Sequence, residues 1–247
     1  VPDAFRLVSK SSDGTKIDVT MPFGVENFIN AMETYVPGSK KSMEKLFSLA
    51  EDIEKATEYF SESDGQYNLR EIRRIMKEHG NFVRTAPYSV NEVLNALGVP
   101  QKAQEIFNAY WMYLGVDCDR LSFTHYVSMV HSYLKYGSVV PTFRSHALSM
   151  ALAGALEDYD GEIRYNSHVS RILFKDGHAN GVILKNGERI ECNHIICTCS
   201  PTTAYSKMMK KSDVPVSAVK RTNARTYGAR GACVYLGLNR SPKDLGI

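Results

Sequence analysis

Apolar residues recur at helical intervals through most of the first 140 positions. Met43, Leu46, Phe47, Ala50, Ile53, Thr57 and Phe60 trace one face of a long helix. Before it, residues 5–8 and 16–19 read as two short strands around Ser12-Asp13-Gly14, and residues 21–35 read as a helix ending before Pro37-Gly38. Asn68 with Glu71 marks the start of a helix carrying Leu69, Ile72, Ile75 and Met76. Ser89 with Glu92 forms a capping box, with Tyr88 and Val93 spaced as a hydrophobic staple. Pro100 opens a helix through Ile106, Phe107, Tyr110 and Leu114. Phe123, Tyr126, Val127, Val130, Tyr133 and Leu134 share one face of the next.

The pattern changes after residue 143. Ala147, Leu148, Ala151, Leu152, Ala155 and Leu156 form an apolar helical stripe that Asp160-Gly161 ends, and residues 162–165 read as a short strand. Three β segments follow, joined at Asp176-Gly177 and Asn186-Gly187, dipeptides that tolerate the positive φ of two-residue hairpin turns. Ile195-Ile196-Cys197 then has the composition of a strand buried on both faces. Ser200-Pro201 starts a helix running to about residue 211, followed by a segment containing Pro215 and a strand over 232–238. Helices dominate the first half and a meander the second, so the chain reads as α+β.

Composition narrows the function classes. The 247 residues suffice for one large or two modest domains, and 43% hydrophobic with 23% charged residues is ordinary for a globular protein. A net charge of +3, with basic residues dispersed apart from a loose group at Lys220, Arg221, Arg225 and Arg230, argues against a nucleic-acid partner. Five cysteines with no Cys-x-x-Cys pair fit a reducing compartment, hence a cytoplasmic location. No run is long enough to span a bilayer and no signal peptide is visible, although the chain opens on Val1 rather than Met, so its true start is expected to lie upstream.

The order of elements resembles the second FAD-contacting segment of the phytoene desaturase-like family of NAD(P)/FAD-dependent oxidoreductases, whose relatives include carotenoid isomerases and retinol saturases. Pro141, Ser145, Ala147, Leu148, Gly161-Glu162-Ile163-Arg164, Asn166, Val169, Ile172 and Pro201 match that family's pattern. DGTKIDV, YVPGSKKSMEKLF, SVNEVLNALGVP, YWMYLGV and VYLGLNRSPKDLGI extend the similarity over nearly the whole chain. The resemblance implies a mainly helical substrate domain plus the meander and helix portion of an FAD-binding fold of the glutathione-reductase-like, amine-oxidase-like kind. It divides the chain into a substrate domain over 1–141, the second part of the FAD-binding domain over 142–200, and a return to the substrate domain over 201–247. FAD is the implied cofactor, with NAD(P) a second the family admits. The implied partner is an apolar small molecule, with peripheral membrane contact a further expectation.

A flavin needs helix-end or loop amides for its pyrophosphate, usually from a G-x-G-x-x-G turn, and the sequence contains none. Gly228-Ala229-Arg230-Gly231 has the wrong spacing. In the resembling family this fingerprint lies N-terminal to the matched region and a further flavin-contacting segment lies C-terminal to it, so the chain is expected to be the middle of an enzyme, inactive alone. The resemblance places Val169 at backbone contacts to the adenine side of FAD, and Thr198, Cys199 and Ser200 at the strand-end loop beside the cofactor. Arg144 and Ser145 lie in the loop before the helix, but Phe143 and Arg144 replace the family's glycine pair, which removes backbone freedom there. Arg144 reads either as a phosphate partner or as a solvated surface side chain.

Trp111, Tyr126 and Tyr133, with Tyr110, Tyr113 and Tyr136, could line a tunnel for an elongated substrate, though aromatic stripes at helical spacing are more often plain core. The seven histidines form no H-E-x-x-H, Cys197-Thr198-Cys199 has no second ligand pair nearby, and no metal is expected. No catalytic acid or base can be named. Two functions follow. One is an FAD-dependent oxidoreductase acting on carbon–carbon bonds of an apolar, polyene- or lipid-like substrate by desaturation, saturation or isomerisation. The other is a non-catalytic ligand-binding or assembly module that kept the architecture. Uncovered faces in the excised piece predict a homodimer.

Overall fold

Alternating burial builds the first element. The computed structural model describes residues 3–63, 65–225, 228–229, 231–241 and 243–245. Strand β1 (Asp3–Lys10) pairs antiparallel with β2 (Lys16–Pro22), and Ile17, Val19 and Met21 point into the core while their neighbours face water. The ladder runs on to Asp3↔Pro22, so Met21, expected in a helix, is the last inward residue of the hairpin. Gly24, at φ 87°, then turns the chain and donates its amide to the Leu134 carbonyl at 2.9 Å, and α1 (Val25–Tyr35) begins only there.

Five further helices, α2 (Lys40–Ser61), α3 (Leu69–Glu78), α4 (Gly80–Thr85), α5 (Val90–Ala96) and α6 (Gln101–Phe107), lead to α7 (Phe123–Tyr136). Their starts follow local chemistry. Both expected capping boxes form: Asn68 with Glu71 on α3, and Ser89 with Glu92 on α5. The Ser39 hydroxyl makes no cap on α2. Instead the Glu33 carboxylate accepts from the amides of Gly38 at 2.8 Å and Lys40 at 2.6 Å. The helix expected to continue through Leu114 tightens into a 3₁₀ turn over Asn108–Tyr113, where the buried Tyr110 hydroxyl donates to the Ala4 carbonyl at 2.8 Å. On α3 only Ile75 is buried; Leu69, Ile72 and Met76 stay exposed, and on α2 Ala56 takes the inward place given to Thr57.

The helical core is threaded by rings meeting edge to face. Phe28 meets Phe47 at 5.8 Å, Phe47 meets Phe107 at 6.1 Å, and Phe107 meets Tyr126 at 5.6 Å, with interplanar angles of 77°, 79° and 85°. Such pairs add about 0.5–1.5 kcal/mol each beyond area burial. The Tyr126 hydroxyl, fully buried, donates to the Phe107 carbonyl at 2.7 Å.

By its contacts the chain divides into two units, Val1–Val139 with Gly228–Ile247, and Val140–Tyr227. Near the return to the first unit, the Ala229 amide donates to the Gly115 carbonyl at 2.6 Å. The second unit opens with α8 (Arg144–Asp158), closed by a Schellman motif in which Asp160, at φ 58°, takes the left-handed position, Gly161 N–H donates to the Leu156 carbonyl and Asp160 N–H to that of Glu157. Strands β3 (Val169–Lys175), β4 (His178–Leu184) and β5 (Arg189–Glu191) form the expected antiparallel meander. Asp176 and Gly177 both take positive φ, as a two-residue I′ turn requires. The second turn departs from expectation. Leu184 N–H donates to the Glu188 carbonyl, leaving a three-residue loop in which only Gly187 is left-handed.

Three expected strands do not form. Residues 162–165, 195–197 and 232–238 run without a ladder partner among the described residues. Ile196, read as buried on both faces, is 93% exposed, and Val234, Tyr235 and Leu236 are exposed as well. Composition suits these segments to a sheet, but a strand exists only when its backbone groups are paired. The helix expected over 201–211 shortens to α9 (Pro201–Thr203), followed by a π-type turn over Ala204–Met208, and α10 (Val216–Asn223) occupies the segment after Pro215. No helix among the described residues is long and apolar enough to cross a membrane.

Tyr126→Phe removes the buried hydrogen bond to the Phe107 carbonyl and is expected to cost about 0.5–1.5 kcal/mol, read as a lower urea midpoint at unchanged slope. The two amides on Glu33, Gly38 first and Lys40 second, hold its carboxyl below the ordinary glutamate value. A depressed folded-state value means that this contribution is complete above the unfolded value of about 4.3 and is lost as pH falls through the folded one. Glu33→Gln is therefore expected to be less stable at neutral pH and to flatten part of the decline in unfolding midpoint below about pH 5.

Candidate functional site

The loop entering α8 holds an unusual backbone. Phe143 has φ 64° and Arg144 φ 70°, two consecutive left-handed residues that are not glycine. Each costs an L-residue about 1–2 kcal/mol. No packing of the ring accounts for it, since Phe143 is 87% exposed. The left-handed conformation that glycine favours is thus taken by two L-residues. The Arg144 amide donates to the Pro141 carbonyl at 2.9 Å, and its exposed guanidinium pairs with no carboxylate among the described residues. Ser145 is exposed on the first turn of α8. The stripe expected to pack α8 buries nothing, and Leu148, Leu152 and Leu156 all face outward.

Val169 is the first residue of β3, half-buried and paired with Leu184. Thr198, Cys199 and Ser200 lie in the exposed segment that leads into α9. The Ser200 hydroxyl makes no cap hydrogen bond, although its carbonyl accepts from Ala204 at 2.9 Å. β3 packs against the Ala204–Met208 turn, while α8 buries no residue. The Cys199 thiol is held above its ordinary range by its hydrogen bond with Cys197. The contact between Cys199 and Met208 was not visible in the sequence, because periodicity says nothing about a π-type turn. Within β4, Asn180 buries an Oδ1 that has no protein partner.

The aromatic residues proposed as a substrate tunnel do not share a cavity. Tyr126 is sealed in the core. Tyr133 lines a small apolar cleft of about 90 Å³ with Tyr110, Tyr113, Met129 and Val130. Trp111 borders a separate open cleft of about 570 Å³ with Leu7, Ile17, Glu105, Asn108 and Cys118. Burial pushes the Cys118 thiol up to about 11, so it is no nucleophile at neutral pH. No group of three or more His, Cys, Asp or Glu that could hold a metal occurs among the described residues.

A helical unit interrupted by a meander with a left-handed loop, an exposed strand-end segment and an uncovered apolar helix is the geometry against which relatives can be compared. The chain belongs to the flavin-containing amine oxidoreductase family, whose model matches residues 38–244. It is 29% identical over 134 residues to the zeta-carotene-forming phytoene desaturase of Myxococcus xanthus, covering 54% of this chain and 25% of the relative. It is 23% identical over 229 residues to the chloroplastic prolycopene isomerase 2 of an Oncidium hybrid cultivar, covering 87% of this chain and 37% of the relative. It is also 34% identical over 74 residues to the hydroxyneurosporene desaturase of Cereibacter sphaeroides, covering 30% and 14% respectively. The chain thus spans between about a quarter and two fifths of the length of the first two relatives.

The described residues fit part of a flavin site. The strained Phe143–Arg144 backbone and the uncovered segment 198–200 are what a chain brought close to a cofactor would present. A pyrophosphate cradle is not among them, since no two glycines in the chain stand two apart.

Glycine at 143 would relieve about 1–2 kcal/mol of left-handed cost against about 0.4–1 kcal/mol of added unfolded-state entropy. Phe143→Gly is therefore expected to leave stability unchanged or to raise it by up to about 1.6 kcal/mol, read as an unchanged or higher urea midpoint. A loss larger than about 1 kcal/mol would show that the exposed ring holds the loop.

Proposed function

We propose that the intact protein is an FAD-dependent oxidoreductase that acts on carbon–carbon bonds of an apolar, polyene- or lipid-like substrate by desaturation, saturation or isomerisation. The observation that carries this reading is the family match over residues 38–244. The relatives' names, desaturases of phytoene and hydroxyneurosporene and an isomerase of prolycopene, support the substrate class and leave the direction of reaction open.

In this reading residues 1–141 belong to a substrate domain, 142–200 to the second part of the FAD-binding domain, and 201–247 return to the substrate domain. The grouping of Gly228–Ile247 with Val1–Val139 supports one substrate domain interrupted by a cofactor segment, although residues 201–227 group with that segment. Residues 162–165 and 195–197 would gain their ladder partners, and Leu148, Leu152 and Leu156 their cover, from parts of the protein corresponding to stretches of the relatives that this chain does not span. The pyrophosphate cradle would come from the same source.

Bound flavin supplies the redox chemistry. The residues of this chain would hold and shield it. The backbone at Val169 would meet the adenine side, residues 198–200 would border the cofactor, and the left-handed pair at Phe143–Arg144 would carry the main chain close to it, with the Arg144 guanidinium as a phosphate partner. Apolar residues would exclude water from the reacting bond.

A second reading, a ligand-binding or assembly module that has lost the flavin, is favoured by the bulk of Phe143 where the family's close approach needs glycine. The absorbance spectrum of the intact protein separates the two. Flavin bands in the near-ultraviolet and blue are expected. A colourless protein that also fails to take up added FAD would transfer the assignment to the module.

A further inference from the structure

Three sulfur atoms converge in the unit Val140–Tyr227. Cys197 Sγ and Cys199 Sγ lie 3.4 Å apart, and Cys199 Sγ lies 3.7 Å from Met208 Sδ. The thiols sit on the extended segment before α9 and the thioether ends the Ala204–Met208 turn that follows it. Both thiols are exposed and Met208 is half-buried, so the cluster is open to an ion from solvent on one side and backed by protein on the other. With a thiolate–metal bond of about 2.3 Å, as for zinc, two sulfurs sharing one ion lie at most about 4.6 Å apart. Both observed contacts fall within that span, and Cys199 is the sulfur common to the two.

We propose that Cys197, Cys199 and Met208 form a binding site for Cu(I). The donor set selects the metal. Two thiolates and a thioether are soft ligands, which favour a soft monovalent ion. Zinc in a structural site takes four ligands, normally thiolate, imidazole or carboxylate, and no group of three or more His, Cys, Asp or Glu that could hold a metal occurs among the described residues. Hard cations need oxygen ligands, which the three sulfurs do not supply. On binding, each coordinating thiol gives up its proton to solvent and copper undergoes no change of oxidation state. Cys199 also borders the cofactor in the oxidoreductase reading, so copper retention is measured on flavin-free protein and flavin absorbance separately.

The test is titration of the purified chain with Cu(I), anaerobically and with a non-thiol reductant, against a chromogenic Cu(I) chelator. One copper per chain is expected to be withheld from the chelator. Cys199→Ser, which removes the central sulfur, is expected to abolish that retention. Met208→Leu is expected to weaken it several-fold, while Cys233→Ser leaves it intact. Unchanged circular dichroism of the variants would tie the losses to the ligands rather than to folding. Failure of the wild-type chain to withhold copper, or retention undiminished by Cys199→Ser, would overturn the site. Undiminished retention by Met208→Leu would remove the thioether, and with it the three-sulfur site.

Discussion

A backbone amide or carbonyl taken out of water must find a partner, and a β-strand can find one only on a neighbouring strand. That constraint decides what the second unit is able to form. The meander β3–β4–β5 supplies its own partners through two tight turns, so it closes within the segment. Residues 162–165 and 195–197 have the apolar and branched character of strands and lack a neighbour, so they stay in water, where solvent satisfies their backbone. The same holds for 232–238.

The first unit shows the opposite condition, in which local signals and packing agree. Glu71 and Glu92 complete capping boxes written plainly in the sequence, and the inward face of α7 is the one its spacing marks out. Edge-to-face contacts from Phe28 through Phe47 and Phe107 to Tyr126 then lock helices whose contacts are far apart in the chain. Much of this fold was legible because each helix carries its period and its start signal in its own residues. The exceptions have local causes. Met21 and Asn108–Tyr113 are decided by partners distant in sequence, the β1 ladder and the Ala4 carbonyl, which no window of neighbouring residues reveals.

Resemblance names the candidate site residues, and the structure gives the backbone they adopt. Resemblance pointed to residues 143–145, 169 and 198–200, and the glycine-to-phenylalanine exchange at 143 suggested a loop of different shape. The structure has positive φ at both 143 and 144, so the left-handed cost is carried by an L-residue pair. Side-chain identity alone could not show this, because left-handed backbone in a non-glycine residue is set by surrounding constraint rather than by preference. The aromatic residues show a different limit. Helical spacing correctly places Tyr126 and Tyr133 on one face, but a shared face does not make a shared cavity, and Tyr126 spends its hydroxyl on the Phe107 carbonyl.

Stability and chemistry are thus allotted to different parts of the chain. The helical unit buries large rings and satisfies the polar groups that cap its helices. The meander unit buries little beyond Ile172, Leu184, Ala204, Val214 and Ala218, and leaves its strained loop, its apolar helix face and its sulfur cluster open. An exposed apolar helix and unpaired extended segments are costly in an isolated unit and useful in one that receives a cofactor and further chain. Strain at Phe143–Arg144 fits the same logic. The left-handed pair opens α8, a helix of this unit that buries no residue.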